Sequence, residues 1–445
     1  MQFIEQQCDR CGLCLVHCPE LNLSDEDART AIDELIEGTD GALARRVLSE
    51  CSSCFSCNTY CPTDAGPYYL VLSRFNDLYH RRGASPIYRY VCPNMKENAW
   101  TTLNVLASPA ERGAFSRWHR DLDTPGGRPL IIGNYAHLFP HIFDSPLFDS
   151  FTLLDPIEHW ESGAYLTQAG YVDVVQDIGE AVRPFYDELA SSETKPYLFT
   201  DAVILLMTRV FPENYRLTDE PLSFTHWLSD ELWSGRITLT EKISMRLAVH
   251  DNCYAKVEGD NLFNAVREIL TDTGAEVVEL AHNRCDSLCC GFGRGAADIP
   301  KATVPFQIMK GAMKKLAEAE AVGADGLVTY CTGCMYLLWS ARELTGSSLG
   351  IYHLVEPVTM AMGAYRYDDL HRQRERAWDI IAQITYFYIK SLFQSRFFIG
   401  DVTRIEYRPD HMPSLPLLSL IRKILSSTPA RRIFALGFRW MTKLF

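Results

Sequence analysis

Four cysteines in CDRCGLCLVHCP, residues 8–19, and four more in CSSCFSCNTYCP, residues 51–62, share one spacing, C-x2-C-x2-C-x3-C-P. Three thiolates at that interval, Cys8, Cys11 and Cys14 or Cys51, Cys54 and Cys57, can wrap one face of an iron–sulfur cubane. The fourth, Cys18 or Cys61, is displaced by one residue and turned by Pro19 or Pro62, so it points to the neighbouring cluster. The spacing predicts two [4Fe–4S] clusters, one on Cys8, Cys11, Cys14 and Cys61, the other on Cys51, Cys54, Cys57 and Cys18. Zinc knuckles rarely carry this fourth-cysteine offset. Such a pair stores no substrate and passes electrons singly.

A second group follows in HDNCYAK (Cys253), LCCGFGRG (Cys289 and Cys290) and YCTGCMY (Cys331 and Cys334). Five thiolates cannot each take a separate corner of one four-iron cubane. Either one bridges or doubles up on an iron, or one is not a ligand. The vicinal pair precedes Gly291 and Gly293, which suit a tight turn where backbone comes close to a cofactor. Cys285, just upstream, reads as a redox-active thiol or an idle one. Cys92 reads as a small buried core residue. His250 either steadies its loop by a hydrogen bond or transfers protons. His282 and Lys256 lie near the cysteines in sequence, with weaker claims.

These residues need elements to hold them. Between the two runs, residues 23–50 carry a capping-box pattern at Ser24 and Asp27, an apolar helical face of Ile32, Leu35 and Ile36 ending near Gly38, and a second short helix from Ala42 to Leu48. The insert is helical, giving an α-helical ferredoxin. Later, MRLAVHD, AEVVEL and ADGLVTY read as strands, with helices in NLFNAVREIL and MYLLWSAREL. Strands alternating with helices predict a parallel α/β sheet with ligands on loops at the strand ends. Cys331 and Cys334 would then sit at a helix N-terminus, which stabilises thiolate. GFGRG lacks the full dinucleotide fingerprint.

HDNC, CCGFG and YCTGC together resemble the cysteine-rich CCG domain of heterodisulfide reductase catalytic subunits and their relatives. Those relatives include iron–sulfur subunits of anaerobic glycerol-3-phosphate dehydrogenase and glycolate oxidase, and the sulfite-reductase-associated membrane complex. The resemblance covers roughly residues 1–365 and implies that Cys253, Cys289, Cys290, Cys331 and Cys334 bind one noncubane [4Fe–4S] cluster. It also implies a catalytic role for these five, with Cys285 or His250 assisting and Gly291 and Gly293 lying against the cofactor. Family members often carry two CCG motifs. Here residues 126–245 look like a first copy without its ligands: Asn134, then Glu161 and Ser162, then Asp201 and Ile204 stand where cysteines are expected. The fold class expected is α+β and multidomain. Residues 1–85 form the two-cluster ferredoxin, 86–125 a linker, 126–245 the degenerate CCG half, 246–365 the intact half and 366–445 a helical basic tail.

The resemblance implies an oxidoreductase subunit moving electrons between a quinone- or cytochrome-linked membrane partner and a thiol, disulfide or sulfur-carrier substrate. An electron conduit from a flavin dehydrogenase or electron-transfer flavoprotein to quinone is the alternative, and a cluster-based redox sensor a third. Composition narrows the partners. A formal charge of -13 over 445 residues argues against nucleic acid. No secretory signal and no bilayer-length apolar run is visible, and fifteen cysteines without an export signal favour metal or redox use on the cytoplasmic side of the cell membrane. From His411 onward there is no acidic residue, yet Arg422, Lys423, Arg431, Arg432, Arg439 and Lys443 alternate with Leu, Ile, Phe and Trp440. That composition suits helices lying on an anionic membrane surface, or a helical pair docked on the protein itself.

Overall fold

The computed structural model describes residues 2–118, 127–155, 157–191, 195–296, 298–365, 370–407 and 412–445. The expected boundary between linker and first half falls outside these residues, as do the expected start of the tail at 366 and of its basic stretch at His411.

Local sequence explains the ferredoxin module. Ser24 Oγ accepts the Asp27 backbone N–H at 3.2 Å and opens the helix Asp25–Glu37, which Gly38 ends in the left-handed conformation. That helix buries Ala28, Ala31, Ile32 and Leu35, and its neighbour Ala42–Glu50 buries Ala44, Val47 and Leu48. The two short cysteine-bearing helices Leu13–Val16 and Ser56–Thr59 pack on each other and on this scaffold. A longer helix, Pro67–Arg82, follows the second run and ties it to the next domain: Tyr69 Oη donates to the Val210 carbonyl at 3.1 Å.

Two parallel sheets follow. Strands β1 (Arg128–Ile131), β2 (Phe151–Leu154), β3 (Tyr197–Leu198) and β4 (Leu222–Ser223) form one, in the order β2-β1-β3-β4. Strands β5 (Arg246–His250), β6 (Glu276–Val278), β7 (Gly326–Thr329) and β8 (Gly350–His353) form the other, in the order β6-β5-β7-β8. Second, first, third, fourth is thus the order in both, and every pairing is parallel. The inner strands are apolar on both faces because helices cover both, which a parallel sheet requires. The expected strands and helices of the second sheet are all present, including the helices Asp260–Asp272 and Thr332–Thr345.

The segment expected as a linker is instead packed. Tyr88, Tyr90, Trp100 and Leu103 are buried, and Gln383 Nε2 donates to the Ala99 carbonyl at 2.9 Å and to Thr102 Oγ1 at 2.7 Å. Its aromatic content outweighs its turn residues. The C-terminal helices Pro416–Ile424 and Thr428–Leu444 also dock inward. Arg422 forms an ion pair with Asp379 at 2.7 Å, and Arg431 Nη2 reaches Glu375 at 2.7 Å. Among the described residues no helix is long and apolar enough to cross a membrane.

The loop leaving β5 is pinned by a buried ion pair. Arg267 grips both Asp251 oxygens at 3.0 Å, and Asp251 also accepts the Arg284 backbone N–H at 2.7 Å. Removing one partner of such a pair strands the other charge in the interior. Arg267→Ala should therefore lower stability by about 3–5 kcal/mol, read as a reduced midpoint in anaerobic urea unfolding.

Candidate metal centre

Both cysteine runs wrap backbone in the same way. Arg10 and Gly12 in the first, and Ser53 and Phe55 in the second, all have positive φ. This turns successive N–H groups inward, and Ser53 N–H meets Cys51 Sγ at 3.3 Å. Phe55 holds this strained state because its ring packs on Tyr68 and Tyr254. The thiols sort into two groups across the runs. Burial pushes Cys14 up to about 12, and the sulfurs that act on it are those of Cys61, Cys11 and Cys8. Burial likewise raises Cys18 to about 12 and Cys51 further, with Cys54 acting on Cys18 and both Cys18 and Cys54 on Cys51. Cys57 is raised mainly by burial and feels Cys14 as well as Cys51, Cys54 and Cys18, so the two groups are neighbours. Buried thiols are costly to ionise, and a bound metal centre supplies compensating positive charge.

The second cysteine group converges too. Cys253 follows β5, Cys289 and Cys290 follow β6, and Cys331 and Cys334 follow β7; all line one cavity of about 80 Å³. Hydrogen bonds from the Cys253 and Cys290 thiols and the N–H groups of Gly291 and Gly293 hold Cys289 well below the ordinary thiol value. Cys331 is lowered by the Cys334 thiol and by the Cys334 and Gly333 N–H groups at the start of its helix. Cys253 and Cys290 are raised chiefly by their bonds to Cys289, and Cys334 by its bonds to Cys290 and Cys331. All fifteen cysteines are free. The donor set thus fits a sulfur-ligated metal centre.

His250 is also there. A ring nitrogen of it and the sulfurs of Cys290 and Cys334 lie within 4.8 Å of one another. Neither ring nitrogen has a hydrogen-bond partner, and burial drives its pKa down to about 3, so the ring is neutral. A metal-facing position was not among the roles expected for it; its place on a fully buried strand end gave no signal of that in the sequence. Cys285 is not brought into the cavity. It is half-buried at the ferredoxin side, where its carbonyl accepts Ser56 Oγ at 3.3 Å. His282 pairs with Glu318, away from the cavity lining. Cys92 is fully buried.

The two glycines serve close packing. A Cβ on Gly291, which has φ of 104°, would sit 1.8 Å from the Ile308 carbonyl, and one on Gly293 would sit 2.1 Å from the Ser52 carbonyl. Gly293 therefore lets the CCG loop touch the second cysteine run directly. Arg294 Nη1 donates to the Glu50 carbonyl at 2.7 Å across the same junction. Lys256 completes it: fully inside, its Nζ donates to the Cys54 carbonyl at 3.1 Å, the Ser287 carbonyl at 2.8 Å and Ser56 Oγ. Three acceptors use all three ammonium protons.

The opposite wall of the cavity comes from the first sheet. Thr200 precedes the helix Asp201–Leu205 as Cys331 precedes Thr332–Thr345, and each stands two residues beyond a matching strand. The positions matching Cys331 and Cys334 are therefore Thr200 and Val203, which line the cavity, rather than Asp201 and Ile204. Asp201 points elsewhere, to Ser223 and Thr225. Asn134 matches Cys253 and Glu161 lines the wall beside it, while Ser162 is buried behind. Burial raises the Glu161 carboxyl to about 8, partly offset by the Asn134 N–H at 3.4 Å.

Comparison with known proteins follows this division. The 4Fe-4S dicluster domain matches residues 5–65, and the cysteine-rich domain CCG matches residues 247–338. These modules define an iron–sulfur protein. Over 213 residues, 46% of this chain and 50% of the relative, it is 26% identical to a dihydromethanophenazine:CoB–CoM heterodisulfide reductase polypeptide of Methanosarcina mazei. Over 65 residues, 15% of this chain and 26% of the relative, it is 29% identical to a ferredoxin:CoB-CoM heterodisulfide reductase polypeptide of Methanosarcina acetivorans. A probable membrane-anchored ferredoxin of Chromohalobacter salexigens is 35% identical over 134 residues, 29% of this chain and 19% of that one. Over these modules the chain is similar to heterodisulfide reductase polypeptides, and it spans half or less of the length of these curated relatives.

Lys256→Met should remove the positive charge shared by the second run and the CCG loop. Redox titration of the paramagnetic signals should then show reduction potentials lowered by a few tens of millivolts, because a nearby cation stabilises the reduced state.

Proposed function

We propose that this chain is the iron–sulfur subunit of a membrane-associated electron-transfer complex, with a thiol, disulfide or sulfur carrier as substrate. Two cubane clusters on Cys8, Cys11, Cys14 and Cys61 and on Cys51, Cys54, Cys57 and Cys18 form its wire, and Cys253, Cys289, Cys290, Cys331 and Cys334 hold a noncubane [4Fe–4S] cluster. When bound, that cluster would supply an iron open to sulfur ligation and single-electron steps. The observation carrying this reading is the convergence of five sulfurs on a cavity whose far wall presents Asn134, Glu161, Thr200 and Val203. The space left by Asn134, Glu161, Thr200 and Val203 is where a substrate sulfur would enter. Reduction of a disulfide takes two electrons and two protons; the cubane wire delivers the electrons, and Glu161, kept protonated by burial, holds one proton at the cavity wall. Lys256 and Gly293 keep the second cubane loop against the substrate loop, so electrons pass from the first run to the second and then to the CCG site.

The membrane side of the reading rests on the C-terminal helices. Leu420, Ile424, Ile433, Leu436 and Trp440 are exposed on them, beside exposed Lys423, Arg432 and Lys443. Arg422 and Arg431 are tied inward, and Arg439 donates to the Thr345 carbonyl at 3.2 Å, so three of the six cations face the protein. The other three would contribute about 1 kcal/mol each at an anionic surface. A cytochrome- or quinone-linked membrane subunit, or a flavoprotein, is the partner such a surface would serve.

Protein purified without oxygen should carry about twelve irons per chain, the sum of three four-iron clusters, and its third paramagnetic signal should change on adding a thiol. Full iron content with no thiol-dependent change would leave only an electron conduit. Separately, Leu436→Ser/Trp440→Ser should release the protein from anionic phospholipid vesicles in a sedimentation assay, at unchanged iron content.

A further inference from the structure

Beside the cysteine cavity lies a second one of about 120 Å³, and Tyr135 and Phe292 line both. Its other walls include Tyr88, Trp100 and Leu103 from the packed segment before the first sheet, and Ile308, Leu337 and Phe387 from helices of the second half. Among the described residues no charged side chain lines it. Its amide, Gln383, already donates to Ala99 and Thr102. The Tyr135 hydroxyl is buried without a hydrogen-bond partner. Ile308, Ile384 and Tyr388 form a half-buried rim, and on the same helix as Ile308, Phe306 packs against Phe438 and Phe445 of the C-terminal helix at 5.0 and 5.8 Å.

Each feature narrows the occupant. An uncharged wall rejects nucleotides and anionic thiols, which would lose their hydration without recompense. A cavity on the order of 150 Å³ takes one benzene-sized ring, and aromatic walls favour a flat ring through edge and face contacts. A buried hydroxyl lacking a partner is unfavourable, and a ring carbonyl would accept from it. The rim shares a helix with side chains packed on the exposed apolar C-terminal helix, so a lipid-soluble molecule has a short way in. We propose that this cavity binds the ring of an uncharged, lipid-soluble carbonyl compound of the quinone class, with Tyr135 Oη donating to one ring oxygen. The proposal goes beyond the thiol chemistry above and does not depend on it.

Duroquinone is a suitable probe, because its fully substituted ring does not readily arylate thiols. Equilibrium dialysis of the oxidised, cluster-containing full chain should show saturable binding of one molecule, not competed by glutathione disulfide. Leu103→Trp, which fills the interior, and Ile384→Phe, which narrows the rim, should each abolish saturation while the iron–sulfur absorbance is retained. Tyr135→Phe should weaken binding roughly tenfold, and Ile384→Phe, at a residue outside the cysteine cavity, should leave the thiol-dependent paramagnetic change in place. Non-saturable uptake, or saturable uptake unchanged in both filled variants, would overturn the site. Should Leu103→Trp lose its absorbance, the surface-tolerated Ile384→Phe and the isosteric Tyr135→Phe decide the matter: unchanged affinity in both rejects it.

Discussion

The arrangement depends on burying sulfur ligands in a place where water cannot help ionise them. A thiolate in a low-dielectric interior is stabilised only by donated protons, helix termini or a cation. The protein uses all three: thiol-to-thiol and N–H donation at Cys289, the helix start at Cys331, and the ammonium of Lys256 at the junction. At Cys14 and Cys18 burial outweighs the backbone N–H groups donated to them and raises both thiols. The scaffold is therefore shaped by charge balance as much as by apolar packing. The parallel sheets bring loop ends together, and the helices between them keep solvent out.

The duplicated strand order gives this balance an asymmetric outcome. Both sheets aim the loops after their strands at the same space, yet one side presents sulfur and the other an amide, a carboxyl, a hydroxyl and an alkyl group. The half without cysteine ligands has the same strand order on an apolar core of its own: Leu130, Ile131 and Ile132 are fully buried. What it offers instead is a wall with room beside the five thiols.

Much of this was legible in the sequence, for identifiable reasons. Cysteine spacing and the Ser24 cap are local signals, and the strands around Cys253 and Cys331 are short apolar runs bounded by polar turns. What depends on non-local contact was not legible. The segment around Tyr88 and Trp100 reads as a linker by its position, but it is packed because Gln383 and Phe387 come from some 280 residues further on. Thr200 and Val203 were missed by one residue each, since β3 is only two residues long and its register is set by β1, not by its own pattern. The inward pairing of Arg422 and Arg431 was hidden likewise, because their acidic partners sit on an earlier helix.

The touch between Gly293 and the Ser52 carbonyl leaves no slack between the ferredoxin and the CCG half. Such a seam has the character of a permanent boundary between subunits enclosed in one polypeptide. If the gene were cut between them, the two products would have to be made together, since one alone would bare the Lys256 ammonium and the other the Cys54 carbonyl and Ser56 hydroxyl that accept from it.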